Sequence, residues 1–218
     1  MSTTVVCVLR SGGDFRPEHV KELFLQVVQH WPEDGTSPNC AVLTDTAPEL
    51  YGLLGDLGVA RIPLCHDYPR WWSKLELFRP DLLEKLGDIL YFDLDTVIVG
   101  DLGDIVQVSY LTMLADFYRP DRLASGMMFL PRRVRTAVWE RWWPDAVGHM
   151  RHYRGDQEFL QVAWAGKAER WQDLLPGQVI SYKAHVQRNR QALEAARVVC
   201  FHGRPRPWQL PQGALGNG

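Results

Sequence analysis

The chain has 218 residues, 46 % of them hydrophobic and 23 % charged, with a formal charge of -2. That balance excludes a disordered segment, and it excludes the strongly basic surface expected if nucleic acid were the main partner. The length suits one core, no apolar run reaches the ~18 residues of an integral membrane segment, and residues 2–10 are too short for a secretory leader, so a cytoplasmic location is expected.

In chain order, residues 3–9 (TTVVCVL) are β-branched and continuously apolar, as in a parallel strand buried on both faces. Arg10-Ser11-Gly12-Gly13-Asp14 breaks the run. Pro17 then opens a helix to about residue 30, with Val20, Leu23, Phe24, Val27 and Val28 on one face. Residues 40–43 and 59–64 read as strands, and 72–78 as a helix interrupted by Pro80, after which Asp81 can cap a turn through Leu86. Residues 89–92 (ILYF) form the strand that delivers Asp93, and β character resumes at 97–99. Residues 110–117 and 127–130 are further strand candidates, 136–143 and 156–165 are helical by pattern, and 198–201 is a last strand before His202.

Strands alternating with helices predict an α/β domain with a mainly parallel sheet, spanning residues 1–208 as one unit. Residues 209–218, rich in Gly, Pro and Gln, are expected to be a flexible tail. Ligands of such sheets bind beyond the carboxyl ends of strands, where Asp95 and His202 fall. The four cysteines show no CxxC spacing and read as small buried hydrophobes. The nine tryptophans include Trp71-Trp72, Trp139 and Trp142-Trp143, for which filling the core is the plainer reading than stacking on sugars.

Two segments carry chemistry. In a strand, residues two apart share a face, so Asp93 and Asp95 can aim both carboxylates at one cation; without one they repel, and one tends to stay protonated. The plain alternative is a solvated strand-end turn, but apolar residues on both sides favour a metal site. Asp93-Leu94-Asp95-Thr96-Val97 also fits the nucleophile signature of haloacid dehalogenase-type phosphatases, in which Asp93 would attack phosphorus and Asp95 would act as acid and base. That family usually carries the motif near the chain start. The second segment is His202-Gly203-Arg204-Pro205-Arg206-Pro207-Trp208. Gly203 lets the backbone approach a ligand, the prolines stiffen the loop, and a guanidinium there can neutralise a diphosphate.

Together these residues resemble glycosyltransferase family 8, the group of glycogenin and the lipopolysaccharide galactosyltransferases. Four blocks carry the likeness: Asp93-Leu94-Asp95, Ala124-Ser125-Gly126-Met127-Met128-Phe129, Gly155-Asp156-Gln157-Glu158-Phe159-Leu160, and the segment from His202 to Trp208. The resemblance implies a Rossmann-like GT-A fold with a mixed, mainly parallel central sheet flanked by helices. It also implies a nucleotide-sugar donor, most often a UDP-sugar, and a divalent cation, Mn²⁺ or Mg²⁺, held by Asp93, Asp95 and His202. By the same resemblance the acceptor would be a glycan, protein or small-molecule hydroxyl, and the anomeric configuration would be retained. Lys74, Asp93, Leu94, Ser125, Gly126, Gly203 and Arg206 would bind the donor. Asp156, Gln157 and Arg206 would act at the reacting centre.

Arg206 stands where the family has Lys, and Ala124 where it has Asn. The first strand is followed by residues 10–15 instead of the family's Asp/Asn-x-x-Tyr. Arg10, Ser11 and Gly12 are expected to hold the nucleobase or phosphate there through backbone N–H groups. A protein that only binds nucleotide sugars, or a nucleotidyltransferase releasing pyrophosphate, is the other alternative to sugar transfer. Arg132, Arg133, Arg135, Arg141, Arg151 and Arg154 could meet an anionic acceptor, though a solvated helical face is the plainer reading.

Overall fold

The computed structural model describes residues 3–215 apart from 34, 47, 49, 51 and 212. Its strands are β1 (Thr3–Leu9), β2 (Asn39–Thr44), β3 (Ala60–Pro63), β4 (Asp88–Phe92), β5 (Thr96–Ile98), β6 (Thr112–Ala115), β7 (Leu123–Leu130), β8 (Glu169–Arg170), β9 (Val179–Ser181) and β10 (Val198–Cys200). The longer helices are α1 (Pro17–Gln29), α2 (Arg132–Trp142), α3 (Ala146–His152) and α4 (Asp156–Trp164).

A seven-stranded sheet runs in the order β3-β2-β1-β4-β7-β6-β8, and a three-stranded sheet in the order β5-β10-β9. Strands β3, β2, β1 and β4 are parallel; β7 lies antiparallel to both β4 and β6, and β8 is parallel to β6. The central sheet is therefore mixed and mainly parallel, flanked by helices, as expected.

The unbroken apolar character of β1 has a direct cause. Val5, Cys7 and Leu9 pack against Val20, Leu23, Phe24 and Val27 of α1, while Val6 points to the opposite core with Trp72, Leu75, Phe78, Trp142 and Phe159. A strand covered on both faces has no solvent side to alternate with. Pro17 begins α1, where its missing N–H has no intrahelical partner to lose.

Several local expectations change. Residues Arg70–Phe78 form a 3-10 helix, and every side chain from Trp72 to Phe78 is buried, including Lys74 and Glu76. Long 3-10 runs are uncommon. This one is tied to its surroundings: Glu76 accepts from the Cys65 and His66 N–H groups at 2.7 and 2.9 Å and pairs with Arg79 at 2.6 Å. Asp81 does not cap the following turn, because Arg79 holds its carboxylate through two contacts of 3.0 Å. Strand β7 starts at Leu123, ahead of the apolar residues 127–130, since Ser125 and Gly126 sit inside it. Helix α2 starts at Arg132, directly after Pro131.

The arginine row does not form one solvated face. Arg135 is fully buried, donates to the Leu77 and Gly87 carbonyls at 3.1 and 2.6 Å, and is pushed down to about 10 by burial. Arg132 pairs with Glu84. The cysteines are free thiols, with Cys7, Cys40 and Cys200 buried and Cys65 exposed. The tryptophans divide: Trp72 and Trp142 are core, whereas Trp71 and Trp143 are exposed. Leu210 and Leu215, in the tail expected to be flexible, pack beside Ile180, Val199 and Phe201. No helix among the described residues is long and apolar enough to cross a membrane.

Candidate active site

The Asp93-Leu94-Asp95 segment is a turn between β4 and β5, not a continuation of the strand: the Thr96 N–H donates to the Asp93 carbonyl at 3.0 Å. Two backbone bonds fix this turn. The Asp93 N–H donates to the Gly126 carbonyl on β7 at 2.8 Å, and the Phe201 N–H donates to the Asp95 carbonyl at 3.1 Å. The second bond continues the pairing of β5 with β10, which places Cys200 opposite Thr96. It brings His202 beside the acidic turn from the far end of the sequence.

Asp93, Asp95 and His202 consequently line one cleft, of about 840 Å³, together with Lys74, Ser125, Gly126, Asp156 and Gln157. A larger groove of about 1110 Å³ runs along α1 and the C-terminal residues, but it lacks this set of charged groups. Leu94 faces away from the carboxylate cleft, buried in the core beneath α1.

Lys74 is the hub of the cleft. Its buried ammonium lies 2.9 Å from Asp93 Oδ1 and 3.2 Å from Asp156 Oδ2, and donates to the carbonyl and hydroxyl of Ser125, each at 3.2 Å. Burial alone would lower its basicity, but the Asp156 and Asp93 carboxylates outweigh that and hold it charged, above the ordinary lysine value. Ser125 Oγ in turn donates to Asp156 Oδ2 at 2.6 Å. Asp156 is thus no N-cap. Gly155 holds that position, and the Asp156 side chain faces the cleft. Gln157 Nε2 lies 3.5 Å from Asp116 Oδ2. A Cβ at Gly126 would lie in ordinary contact with Leu114 and Asp93 Oδ2, at 3.4 and 3.5 Å, so Gly126 borders the carboxylate directly.

Asp95 forms an ion pair with Arg206, whose guanidinium also reaches Asp14 at 3.6 Å and lies 5.0 Å from the Phe15 ring centroid. Burial, then the neighbouring Asp93 carboxylate, push Asp95 up to about 7 against the pull of Arg206 and Lys74. His202 Nε2 is 2.7 Å from Ser181 Oγ, and its ring stacks near Phe117. Burial and Lys183 lower its basicity, against the pull of Asp116. No three His, Cys, Asp or Glu side chains among the described residues stand close enough together to hold a metal ion as they lie.

The loop after β1 differs from expectation. Arg10 is engaged by Asp45 and Asp67, and both the N–H and the hydroxyl of Ser11 go to Asp45, at 2.8 and 2.6 Å. Gly12 adopts a φ of +82°, which a glycine accepts without strain. Gly203 turns likewise at +70°, with Lys183 Nζ 3.4 Å from where its Cβ would lie.

Sequence reasoning missed Tyr91, Ser181 and Lys183. Tyr91 donates its hydroxyl to Asp93 Oδ1. Its position two residues before Asp93, on the same face, was the available signal. Ser181 and Lys183 carry no local signal, since only the pairing of β9 with β10 brings them to His202.

No protein-family model and no curated protein sequence matches the chain. Solved structures do. The glycosyltransferase GlyE of Streptococcus pneumoniae TIGR4 matches with a TM-score of 0.67 at 15 % identity, over 96 % of this chain and 57 % of GlyE. The bifunctional glycosyltransferase WbbM matches with a TM-score of 0.66 at 11 % identity, over 95 % of this chain and 47 % of WbbM. The chain thus spans less than two thirds of either protein. The galactosyltransferase LgtC, solved with donor and acceptor sugar analogues, matches with a TM-score of 0.69 at 12 % identity, over 97 % of this chain and 92 % of LgtC. The chain has the GT-A fold of these glycosyltransferases.

Proposed function

We propose that the protein transfers a sugar from a nucleoside diphosphate sugar, foremost a UDP-sugar, to an acceptor hydroxyl with the help of Mn²⁺ or Mg²⁺. The observation that carries this reading is the meeting of Asp93, Asp95 and His202 in one cleft with the Lys74–Ser125–Asp156 network, on a fold shared with glycosyltransferases.

By residue type the set suits a divalent cation, two carboxylates and an imidazole lining one cleft, although among the described residues the three are not gathered round a single point. Asp93, Asp95 and His202 would hold it, exchanging their present partners Lys74, Arg206 and Ser181 for the metal. Bound there, the cation would act as a Lewis acid that neutralises the diphosphate as the glycosidic bond breaks.

The chain's own residues supply the rest. Arg206, on a loop between two prolines, is the guanidinium for the diphosphate, worth a few kcal/mol of leaving-group stabilisation if well aimed. Lys74 orients Asp93 and Asp156 rather than reaching for phosphate, since its ammonium is already surrounded. Asp156, fixed by Ser125, and Gln157, beside Asp116, form the sugar end of the cleft. The anomeric carbon–oxygen bond breaks and the acceptor oxygen forms the new bond from the same face. Attack on the face the phosphate leaves retains the configuration, and the hydroxyl proton passes to the departing phosphate. The phosphatase alternative rests on the Asp93–Val97 signature alone, whereas the solved structures of similar fold are glycosyltransferases.

Thermal unfolding with nucleoside diphosphates and their sugars, with and without Mn²⁺, tests the reading. UDP is expected to raise Tm only with Mn²⁺, and the rise to disappear with chelator and in His202→Ala. Absence of any shift with every nucleoside diphosphate refutes the assignment. A shift that survives chelation keeps the donor and removes the cation.

A further inference from the structure

Building on the glycosyl-transfer reading above, we propose that the outer part of the cleft is an acceptor subsite for a sugar bearing a negative charge, as a phosphate monoester or a carboxylate. Three features converge there: a strained residue followed directly by an exposed indole, a glycine that makes room for that indole, and arginines without carboxylate partners.

Arg70 has a φ of +53°, the one non-glycine residue with positive φ among those described. Such a backbone is unfavourable for a side chain and persists where the surroundings impose it, often at ligand sites. The next residue, Trp71, lines the cleft and keeps 46 % of its surface exposed, whereas its neighbour Trp72 is core. On the other side, Gly155 is extended, so its lack of a side chain answers to space: a Cβ there would come within 2.9 Å of Trp71 Nε1. Gly155 directly precedes Asp156, so the indole stands next to the reacting end of the cleft. The Arg70 guanidinium lies 5.7 Å from the centroid of this ring, and the indole surface left exposed suits the apolar face of a pyranose ring.

The charge comes from Arg119, Arg122 and Arg154, which all line the same cleft. Arg119 and Arg122 bracket a tight turn, closed by the Arg122 N–H on the Arg119 carbonyl and by the Asp116 N–H on the Arg122 carbonyl, both at 2.8 Å. None of the three guanidiniums forms an ion pair among the described residues, whereas those of Arg10, Arg79, Arg132 and Arg206 do. The nearby carboxylates are partly committed: Asp116 Oδ1 accepts from the Tyr118 and Arg119 N–H groups, and Glu158 accepts from the Arg154 N–H. Asp121 is the remaining acid on this wall. Donor phosphates belong at the other end, with Arg206 and the Asp93–Asp95 turn. Arg122 lies three residues along the chain from Ser125, roughly 10 Å at ~3.3 Å per residue, which leaves room for a sugar ring between. Guanidinium forks match the oxygens of a phosphate or carboxylate.

The test is an NMR titration that follows the Trp71 indole N–H signal, assigned by its loss in W71F. Glucose, glucose 6-phosphate, glucuronic acid and inorganic phosphate are added to the protein alone and again with UDP and Mn²⁺. The charged sugars are expected to shift the signal saturably and to bind at least about tenfold tighter than glucose, as for one lost charge-assisted contact. R154A and the R119A/R122A double variant should reduce that preference while leaving other backbone signals and the UDP-dependent rise in Tm unchanged. Equal binding of charged and neutral sugars, or no movement of the Trp71 signal with any sugar, overturns the proposal. So does inorganic phosphate binding as tightly as the charged sugars with the indole unmoved. The UDP response separates the two readings. A charged-sugar preference without it refutes the donor assignment alone, and its presence without the preference refutes the subsite alone.

Discussion

Replacing Lys74 with methionine would leave the cleft's carboxylates without their central cation, and the size of the effect follows from the geometry. The lysine is 5 % exposed, and its ammonium makes the two carboxylate contacts and the two bonds to Ser125 described above. Breaking a buried pair by removing one partner costs about 3–5 kcal/mol, because the other charge stays buried. Here the two partners differ: the Asp93 side chain is 31 % exposed and can rehydrate, while that of Asp156 is 6 % exposed and cannot. The penalty therefore falls mainly on Asp156, and the expected loss sits near the lower end, about 3 kcal/mol. Removing the stranded charge should recover most of it, so K74M/D156N is expected within about 1 kcal/mol of the parent, with a coupling of at least ~2 kcal/mol in the double-mutant cycle. Urea unfolding in the presence of chelator measures both, from midpoints at constant slope. A loss below ~1 kcal/mol, or no recovery in the double variant, would mean that water replaces the ammonium and that Lys74 is not the hub.

Arg135→Ala should cost roughly 2–4 kcal/mol in the same unfolding assay, since it strips the donors from the buried Leu77 carbonyl and the partly buried Gly87 carbonyl. Titration with a thiol reagent should modify Cys65 quickly in the native protein. Cys7, Cys40 and Cys200, buried and with thiols pushed up by that burial, should react only after denaturant is added. Asp81→Asn should cost roughly 0.5 kcal/mol at neutral pH, the scale of a half-exposed ion pair. The Arg79 hydrogen bond holds the Asp81 carboxyl below its ordinary value. Its contribution is therefore present above the unfolded pKa and is lost as pH falls through the depressed folded one, so parent and variant should converge in acid.

What the sequence discloses and what it hides divide along physical lines. Strand β1, helix α1 and the run ending at Phe92 were legible because burial of whole faces writes long apolar patterns. The same patterns located Asp93 and His202 at strand ends, which is why both could be assigned to one cleft. The partners of those residues were not legible. Arg206 on Asp95 and Ser181 beside His202 are contacts between distant segments, and residue type alone does not say which of several neighbours a charge will choose. Lys74 shows this in reverse: a basic residue ahead of the acidic turn was expected to reach for the donor, yet the fold buries it between two carboxylates. The 3-10 run at Arg70–Phe78 looks like an ordinary helix over residues 72–78 in the sequence, because a continuous string of buried side chains carries no clean period. Trp71 and Trp72 are identical in type and adjacent, yet one meets solvent and the other is core, a difference that residue type does not disclose.

The small β5-β10-β9 sheet joins three parts of the candidate site that no stretch of sequence holds together: the turn at Asp95, the loop at His202 and the hydroxyl of Ser181. Losing β10 would therefore be a double lesion. It would take away the imidazole, and it would also unpin one edge of the acidic turn, whose Asp95 carbonyl is held by Phe201. Damage at the end of the chain would then be felt in its middle, where no residue had been changed.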